Sequence, residues 1–531
     1  DLHRAFCLGK HCLQSSGGDP ALNAVQLNYA YVPSNGGISP SQYHAPIRRK
    51  ACTLERHYLH HFISLPLKGL VSQTSFSKAH LMAEATQTIT SYNVPTTYWR
   101  YTWPTVFAML VSGLYQIVDG IFIGQFVGAD GLAAINTAWP WIGLIAGVGL
   151  MVGMGAGIHC SIAQGQAQLQ KARQFIAHGL WLLLLLGITV GCLVTAWGEP
   201  LLQIQGVDAS VMRHGADYLR VFGGGAPLIM ASLALPILVR NLGAPMLATG
   251  MLLAGALINV LLDYLFIVVM GWGLEGAAWA TVMGESLSVI IGLVFLCSRA
   301  SPLTLHRKDM WIWPQWAPYR AIASSGFSSF LMYLYASFAV VLHNTALMHY
   351  GNTVHVAAYA VTGYIMTLYY LLAEGLATGM QPMVSYFHGA GHTAAIRQTF
   401  TLALRWIIGS GVVFVGLIFL LPHAWSHIFV SPDDTALTQA TVHALRLHLF
   451  ALFIDGLLVL AAAYFQAINQ NTKAVVITVL NMLIQVPALL ILAPWLGVTG
   501  VFLALPVSTV ILGAGSWLLL KRHFAPSSAK H

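Results

Sequence analysis

Runs of about twenty apolar residues follow one another along most of the chain, each closed by a short polar or basic turn, and a helix of that length crosses a bilayer core of about 30 Å. Twelve crossings are predicted, over residues 104–127, 132–158, 175–197, 215–239, 246–270, 276–297, 320–348, 354–380, 400–421, 441–467, 473–493 and 497–520. The pattern also repeats. Ala133, Ala134, Gly155, Gly165, Arg173 and Gln174 recur at one constant spacing as Ala357, Ala358, Gly379, Gly389, Arg397 and Gln398. Leu257-Ile258-Asn259-Val260 is echoed at nearly the same spacing by Leu483-Ile484-Gln485-Val486. The expected fold is an all-α membrane protein with twelve transmembrane helices in two pseudo-symmetric six-helix bundles. Residues 98–298 and 320–520 form the lobes, 299–319 a connector and 521–531 a cytoplasmic tail. Six crossings per copy give both copies the same topology, with a pseudo-axis along the membrane normal. Such a duplicated bundle points to a secondary transporter, its site between or inside the halves.

Composition agrees with the pattern. The chain is 57% hydrophobic and 8% charged, whereas a soluble protein carries about 25% charged residues. The formal charge of +8 does not indicate nucleic acid, because eight Lys/Arg against three Asp/Glu fall in residues 1–81 and the remainder is nearly neutral. Residues 1–81 lack hydrophobic periodicity and precede the first methionine, Met82. Residues 1–97 are therefore expected to be a non-native or disordered extension, with translation starting at Met82. Cys160, Cys192 and Cys297 lie in or beside apolar spans and read as small packing residues, without a disulfide pattern.

Lys and Arg mark one side. Arg100, Lys171, Arg173, Arg240, Arg307, Lys308, Arg397 and Lys473 fall in the N-terminal flank and the loops after even-numbered crossings, and Lys521 and Arg522 follow the last. Asp130, Glu199, Asp208, Asp433 and Asp434 fall on the other side. The positive-inside rule then puts both termini in the cytoplasm. The connector, with Trp311-Ile312-Trp313-Pro314, suits a cytoplasmic interface.

Carboxylates inside a crossing cost about 2.5–3.5 kcal/mol each on insertion scales and mark candidate sites. Asp119 follows Pro104 by fifteen residues, about 22 Å into the bilayer, and Asp263 follows Met246 by seventeen, about 25 Å. Asn259 shares a helix face with Asp263 at a spacing of four. Thr281 lies near the outer end of crossing 6, with Glu285 one turn deeper. Asp119, Asn259, Asp263 and Thr281 thus fall at similar depth in the outer half of the first bundle. Their oxygens can take up a proton or a hard cation such as sodium; the alternative is that each merely pairs with a polar neighbour and fixes packing. Glu374 lies near the cytoplasmic end of crossing 8, where it can snorkel or bond a neighbouring helix. Asp455 is deep in crossing 10 and a candidate for facing substrate. His343 stands at the repeat position of Asp119 and is a candidate lining residue of a second cavity. His423 and His427 read as interfacial rather than metal-binding. Gly147, Gly149, Gly153, Gly155 and Gly157 read as a close-packing helix face.

Three stretches resemble the multidrug and toxic compound extrusion (MATE) family. Val118-Asp119-Gly120-Ile121-Phe122-Ile123-Gly124, with Gly128-Ala129-Asp130-Gly131-Leu132-Ala133-Ala134, is similar to its first-span signature. Asn259-x-x-x-Asp263-Tyr264 with Gly276-Ala277-Ala278-Trp279-Ala280-Thr281 is similar to its span 5–6 signature. Ala373-Glu374-Gly375-Leu376-Ala377-Thr378-Gly379-Met380-Gln381-Pro382, running on to Ser385-Tyr386-Phe387-His388-Gly389-Ala390, resembles span 8 of the MepA-type bacterial branch. The resemblance covers about 98–520. It implies an antiporter, not an enzyme, that expels small cationic or amphipathic drugs in exchange for sodium or protons and needs no other cofactor. It also implies a coupling-ion site at Asp119, Asn259, Asp263, Thr281 and Tyr218, with Glu285, Asp455, Glu374 and His343 left for substrate or proton relay. Some relatives carry a Glu in span 7, and residues 320–348 hold no carboxylate; Asp455 resembles the span 10 acidic position of those relatives. Two alternatives are a lipid-linked oligosaccharide flippase, which calls for a basic cavity, and an intramembrane enzyme, which calls for a nucleophile–base pair or metal site.

Overall fold

The computed structural model describes residues 93–204, 208–310, 315–431 and 433–525. The expected extension up to residue 92, with its start at Met82, lies outside the described residues, as do 311–314 of the connector and 526–531 of the tail. Every regular element among the described residues is helical. The first half contains α1 (Val94–Phe126), α2 (Ala129–Gly165), α3 (Leu169–Ile204), α4 (Ala209–Gly224), α5 (Ala226–Asn241), α6 (Pro245–Asp263) and α7 (Gly273–Cys297). After the short α8 (Arg307–Met310) come α9 (Trp316–Tyr350), α10 (Thr353–Gly389), α11 (Thr393–Leu420), α12 (Pro422–His427), α13 (Thr435–Leu449), α14 (Leu452–Ala467), α15 (Asn471–Leu483), α16 (Gln485–Leu496) and α17 (Val498–Phe524). Among the described residues, ten helical stretches are long and apolar enough to cross a membrane, and two bent pairs, each counted as one crossing, complete twelve.

The bends correct the sequence reading of crossings 4 and 10 as continuous helices. α4 and α5 meet at 59°, and α13 and α14 at 47°. In the first case Gly223-Gly224-Gly225 leads into Pro227, which lacks an N–H and whose ring collides with the carbonyl four residues back. α1 also starts earlier than expected, at Val94, because the Asn93 side chain accepts the Thr96 N–H at 3.3 Å and caps it. The connector folds back on the first half. Leu303 and Leu305 are buried, and the Trp181 indole N–H donates to the Met310 carbonyl at 2.9 Å.

The halves join where their basic turns gather. A Cβ on Gly165 would overlap the Tyr386 carbonyl oxygen, and one on Gly389 would overlap that of Ile162. Each contact is the other moved by the repeat spacing, so the seam obeys the pseudo-twofold. Beside it, Gly155 and Gly326 bring α2 and α9 together by seating against Ile322 and Met151. Gly375 and Gly379 do the same for α10 and α1, against Val106 and Thr102. Here the symmetry slips. Moved by the same spacing, the first contacts would place Gly379 against Tyr98 and Gly375 against Thr102, so α1 sits one turn out of register with its counterpart. The glycine-rich face of α2 also packs inside its own lobe, Gly149 against Met230 and Gly153 against Ala234.

A buried amide pair crosses the seam. Asn241 Nδ2 donates to Gln381 Oε1 at 3.3 Å, and Gln381 Nε2 donates to Asn241 Oδ1 at 3.2 Å. Ser161 donates to Asn241 at 2.6 Å, and Ser385, which receives Gln381, donates to the Ala467 carbonyl. Removing one partner of a buried pair costs about 1–3 kcal/mol. Gln381→Leu is therefore expected to lower the thermal unfolding midpoint of the detergent-purified protein; an unchanged midpoint contradicts a structural role for the pair.

Candidate functional site

Four helices of the first half converge on one set of oxygens. Asp119 comes from α1, Tyr218 from α4, Asn259 and Asp263 from α6, and Thr281 from α7. Gly284 lets α7 lie against α6: a Cβ there would come 2.9 Å from the Gly255 carbonyl oxygen and 3.0 Å from Asn259 Cβ. The approach lets Asn259 Nδ2 donate to Thr281 Oγ1 at 3.4 Å, while Thr281 Oγ1 donates to the Ala277 carbonyl at 3.0 Å. The Asn259 side-chain carbonyl is left without a donor. Immediately after Asp263 the helix widens into a π-turn, Tyr264–Val269, a distortion that concentrates at functional sites.

Asp263 is fully buried and Asn259 nearly so. The Asp119 and Asp263 carboxyl groups lie within hydrogen-bonding reach of each other, and the buried Tyr218 phenol is within electrostatic range of both. Yet Asp119 Oδ1, Asn259 Oδ1 and both Asp263 oxygens have no donor. Two carboxylates this close repel unless a proton or cation sits between them. Four buried acceptor oxygens without donors are also the ligand chemistry of a hard cation.

The remaining candidates separate. Glu285 lies within hydrogen-bonding reach of Tyr115 on α1 and Ser232 on α5. Tyr115 in turn is within electrostatic range of Asp119 and of Tyr333 of α9, and Tyr333 is within range of Glu374. Glu374 is within electrostatic range of Arg240 across the seam. Asp455 lies in the first turn of α14, just past the bend, where the Tyr370 hydroxyl donates to it and Asn481 and Thr509 stand within reach. His343 is fully buried among side chains rather than lining a cavity. Its Nδ1 meets the Ala339 carbonyl at 2.9 Å, and its ring stacks on Tyr359 at 5.1 Å and meets His448 edge-on at 5.4 Å. His423 and His427 share α12 with rings 6.3 Å apart.

This geometry can be set beside known proteins. The MatE family model matches residues 104–265 and 325–491, one match in each half and together more than half the chain. The chain belongs to the MatE family. Multidrug export protein MepA of Staphylococcus aureus (strain NCTC 8325 / PS 47) is 23% identical over 425 residues, 79% of this chain and 92% of that protein. MepA of Staphylococcus saprophyticus is 22% identical, over 78% and 91%. Among solved structures, a MATE protein in complex with MaL6 superposes with a TM-score of 0.77 at 22% identity, covering 82% of this chain and 97% of that one. An outward-facing multidrug resistance MATE transporter gives 0.77 at 22%, over 81% and 96%. The chain is thus a multi-pass membrane protein of the MatE family, and the relatives it resembles are named multidrug export proteins.

Sequence reasoning missed several polar residues of this MatE bundle. Tyr115, Ser232 and Tyr333 carry no signal in an apolar span until their helices are docked. Arg240 was legible but misplaced. It counts among the loop cations, yet it sits in the last turn of α5 and is 6% exposed. The available signal was its position: it directly follows Ile237-Leu238-Val239, still inside the apolar run.

Proposed function

We propose that this MatE protein is a sodium- or proton-coupled antiporter that exports small cationic or amphipathic compounds from the cytoplasm across a bacterial inner membrane. The observation that carries the reading is the donor-free set of oxygens on Asp119, Asn259 and Asp263. An ion there satisfies both carboxylates and draws α1 toward α6. Because α1 also packs against α10 of the other half, the ion acts on the seam between the lobes. Substrate would be taken up in a cleft between the two halves, beside Tyr115 and Tyr333, where Glu285 and Glu374 offer negative charge and the aromatic faces offer apolar contact. With the basic turns in the cytosol, the tight seam closes the cytoplasmic side and leaves the cleft to open outward. Ion and substrate favour different states, which is the condition for exchange. The acidic lining speaks against a flippase for a pyrophosphate-linked lipid.

Expression of the chain in a bacterium lacking its own efflux pumps is expected to lower ethidium accumulation. Unchanged accumulation, with the chain verified in the membrane, rejects the exporter reading.

A further inference from the structure

Arg240 is a buried guanidinium whose charge has no close match. Among the described residues it makes no ion pair within 4.0 Å, its Nε has no hydrogen-bond partner, and Nη1 donates to Thr105 Oγ1 of α1 at 3.2 Å. The charge that acts on it is Glu374, on α10 of the other half. Both residues border the Thr102–Val106 stretch of α1, where Gly375 and Gly379 close the seam.

The repeat shows what this charge is not needed for. The spacing that relates Asn259 to Gln485 relates Arg240 to Gln466, and the spacing that relates Gly165 to Gly389 relates Thr105 to Ser329. Gln466 Nε2 donates to Ser329 Oγ at 2.9 Å and to the Ser325 carbonyl at 2.8 Å. The same helix-to-helix hydrogen bond is thus made by a neutral amide in one half and by a guanidinium in the other. The counterpart of Glu374 is Leu150. The symmetry-related seam therefore holds Gln466 of the second half and Leu150 of the first, while the seam of Arg240 and Glu374 has gained a positive and a negative charge that the hydrogen bond does not require. Burying a charge without close pairing is expensive, so a compensating function is called for.

We propose that Glu374 receives the positive charge of a substrate when the cytoplasmic seam is open, and that Arg240 is a tethered cation that claims Glu374 as the seam closes and so expels the substrate. The inference rests on the exporter reading and adds to it a residue that selects for charge and a device for release. Closing brings α10 onto α1 and with it Glu374 toward Arg240; opening parts them and frees the carboxylate. Tyr333, which is also within electrostatic range of Glu374, supplies an aromatic face beside the substrate cation. A neutral amphiphile bypasses the competition, because it does not use Glu374.

The test uses the full-length protein, purified and reconstituted, with ethidium as the cationic probe and Nile red as the neutral one. The repeat itself indicates that R240Q keeps the hydrogen bond. R240Q is expected to bind ethidium about five-fold or more tightly, at the lower end of ordinary coupling factors, and to export it more slowly, with Nile red unchanged. R240K restores wild-type behaviour. E374Q weakens ethidium binding, and R240Q adds nothing on the E374Q background. The proposal is overturned if R240Q alters both dyes alike, if it leaves ethidium affinity at the wild-type value, or if E374Q binds ethidium normally while wild-type export is intact. Failure of the wild type to export either dye overturns the exporter reading and this inference with it.

Discussion

Asp119→Asn and Asp263→Asn are each expected to lower the proposed ion-driven export by about 5- to 150-fold, the range spanned by a coupling free energy of about 1–3 kcal/mol. The reason lies in how the oxygens are held. Asp263 is fully buried, both its oxygens lack donors, and the carboxyl group of Asp119 is its nearest acidic neighbour. An amide at either position keeps the volume and removes the charge that attracts an ion, so the bundle still folds but the ion loses its hold on α1. The measurement is ethidium efflux from cells, with equilibrium dye binding to the purified variant as the control. Lost efflux with retained binding is expected. Efflux at the wild-type rate from both variants means that these carboxylates fix packing only.

The second large effect concerns the seam. Gly326→Val places a branched side chain where even a Cβ would overlap the Met151 carbonyl oxygen. Overpacking of this kind costs about 1–3 kcal/mol, or more where backbone cannot yield. The cost falls on the state in which α2 and α9 touch and not on the state in which they part. Gly326→Val is therefore expected to hold the cytoplasmic side open and to abolish net export. A Thr102→Cys reporter, buried beneath Gly379 in the closed seam, should then react faster with a membrane-impermeant maleimide from the cytoplasmic face. Unchanged labelling together with normal export would mean that the glycine contact does not form part of the cycle.

Much of this arrangement was legible in the chain because a membrane helix converts residue spacing into depth. Counting from Pro104 and Met246 is enough to group Asp119, Asn259, Asp263 and Thr281, and the fold brings their helices together. The twelve crossings were legible for the same reason, since length and apolarity set them. What spacing does not encode is the face that each helix turns to its neighbour. Glu285 is one turn from Thr281 yet lies within hydrogen-bonding reach of Tyr115 and Ser232, and His343, although it shares the repeat position of Asp119, is packed against Tyr359 and His448. The π-turn after Asp263 and the bends within crossings 4 and 10 interrupt runs whose hydropathy is continuous, so apolarity alone passes over them. Arg240 was misplaced because the positive-inside rule counts cations by their distance from a span end, and a guanidinium in the last helical turn satisfies that count whether it faces water or the neighbouring lobe. The sequence repeat nevertheless frames the chemistry. The Gly165 and Gly389 contacts follow the symmetry, whereas the ionisable residues break it, with Asp119 opposite His343, Asn259 opposite Gln485 and Glu374 opposite Leu150.

The most direct test of the account is dye accumulation in everted membrane vesicles under a sodium gradient alone and a proton gradient alone, with wild type and the Asp119→Asn/Asp263→Asn double variant side by side. The wild type is expected to accumulate ethidium under at least one gradient, and the double variant under neither while still exchanging dye passively. Accumulation by the double variant at the wild-type level under the same gradient would contradict ion coupling through this site.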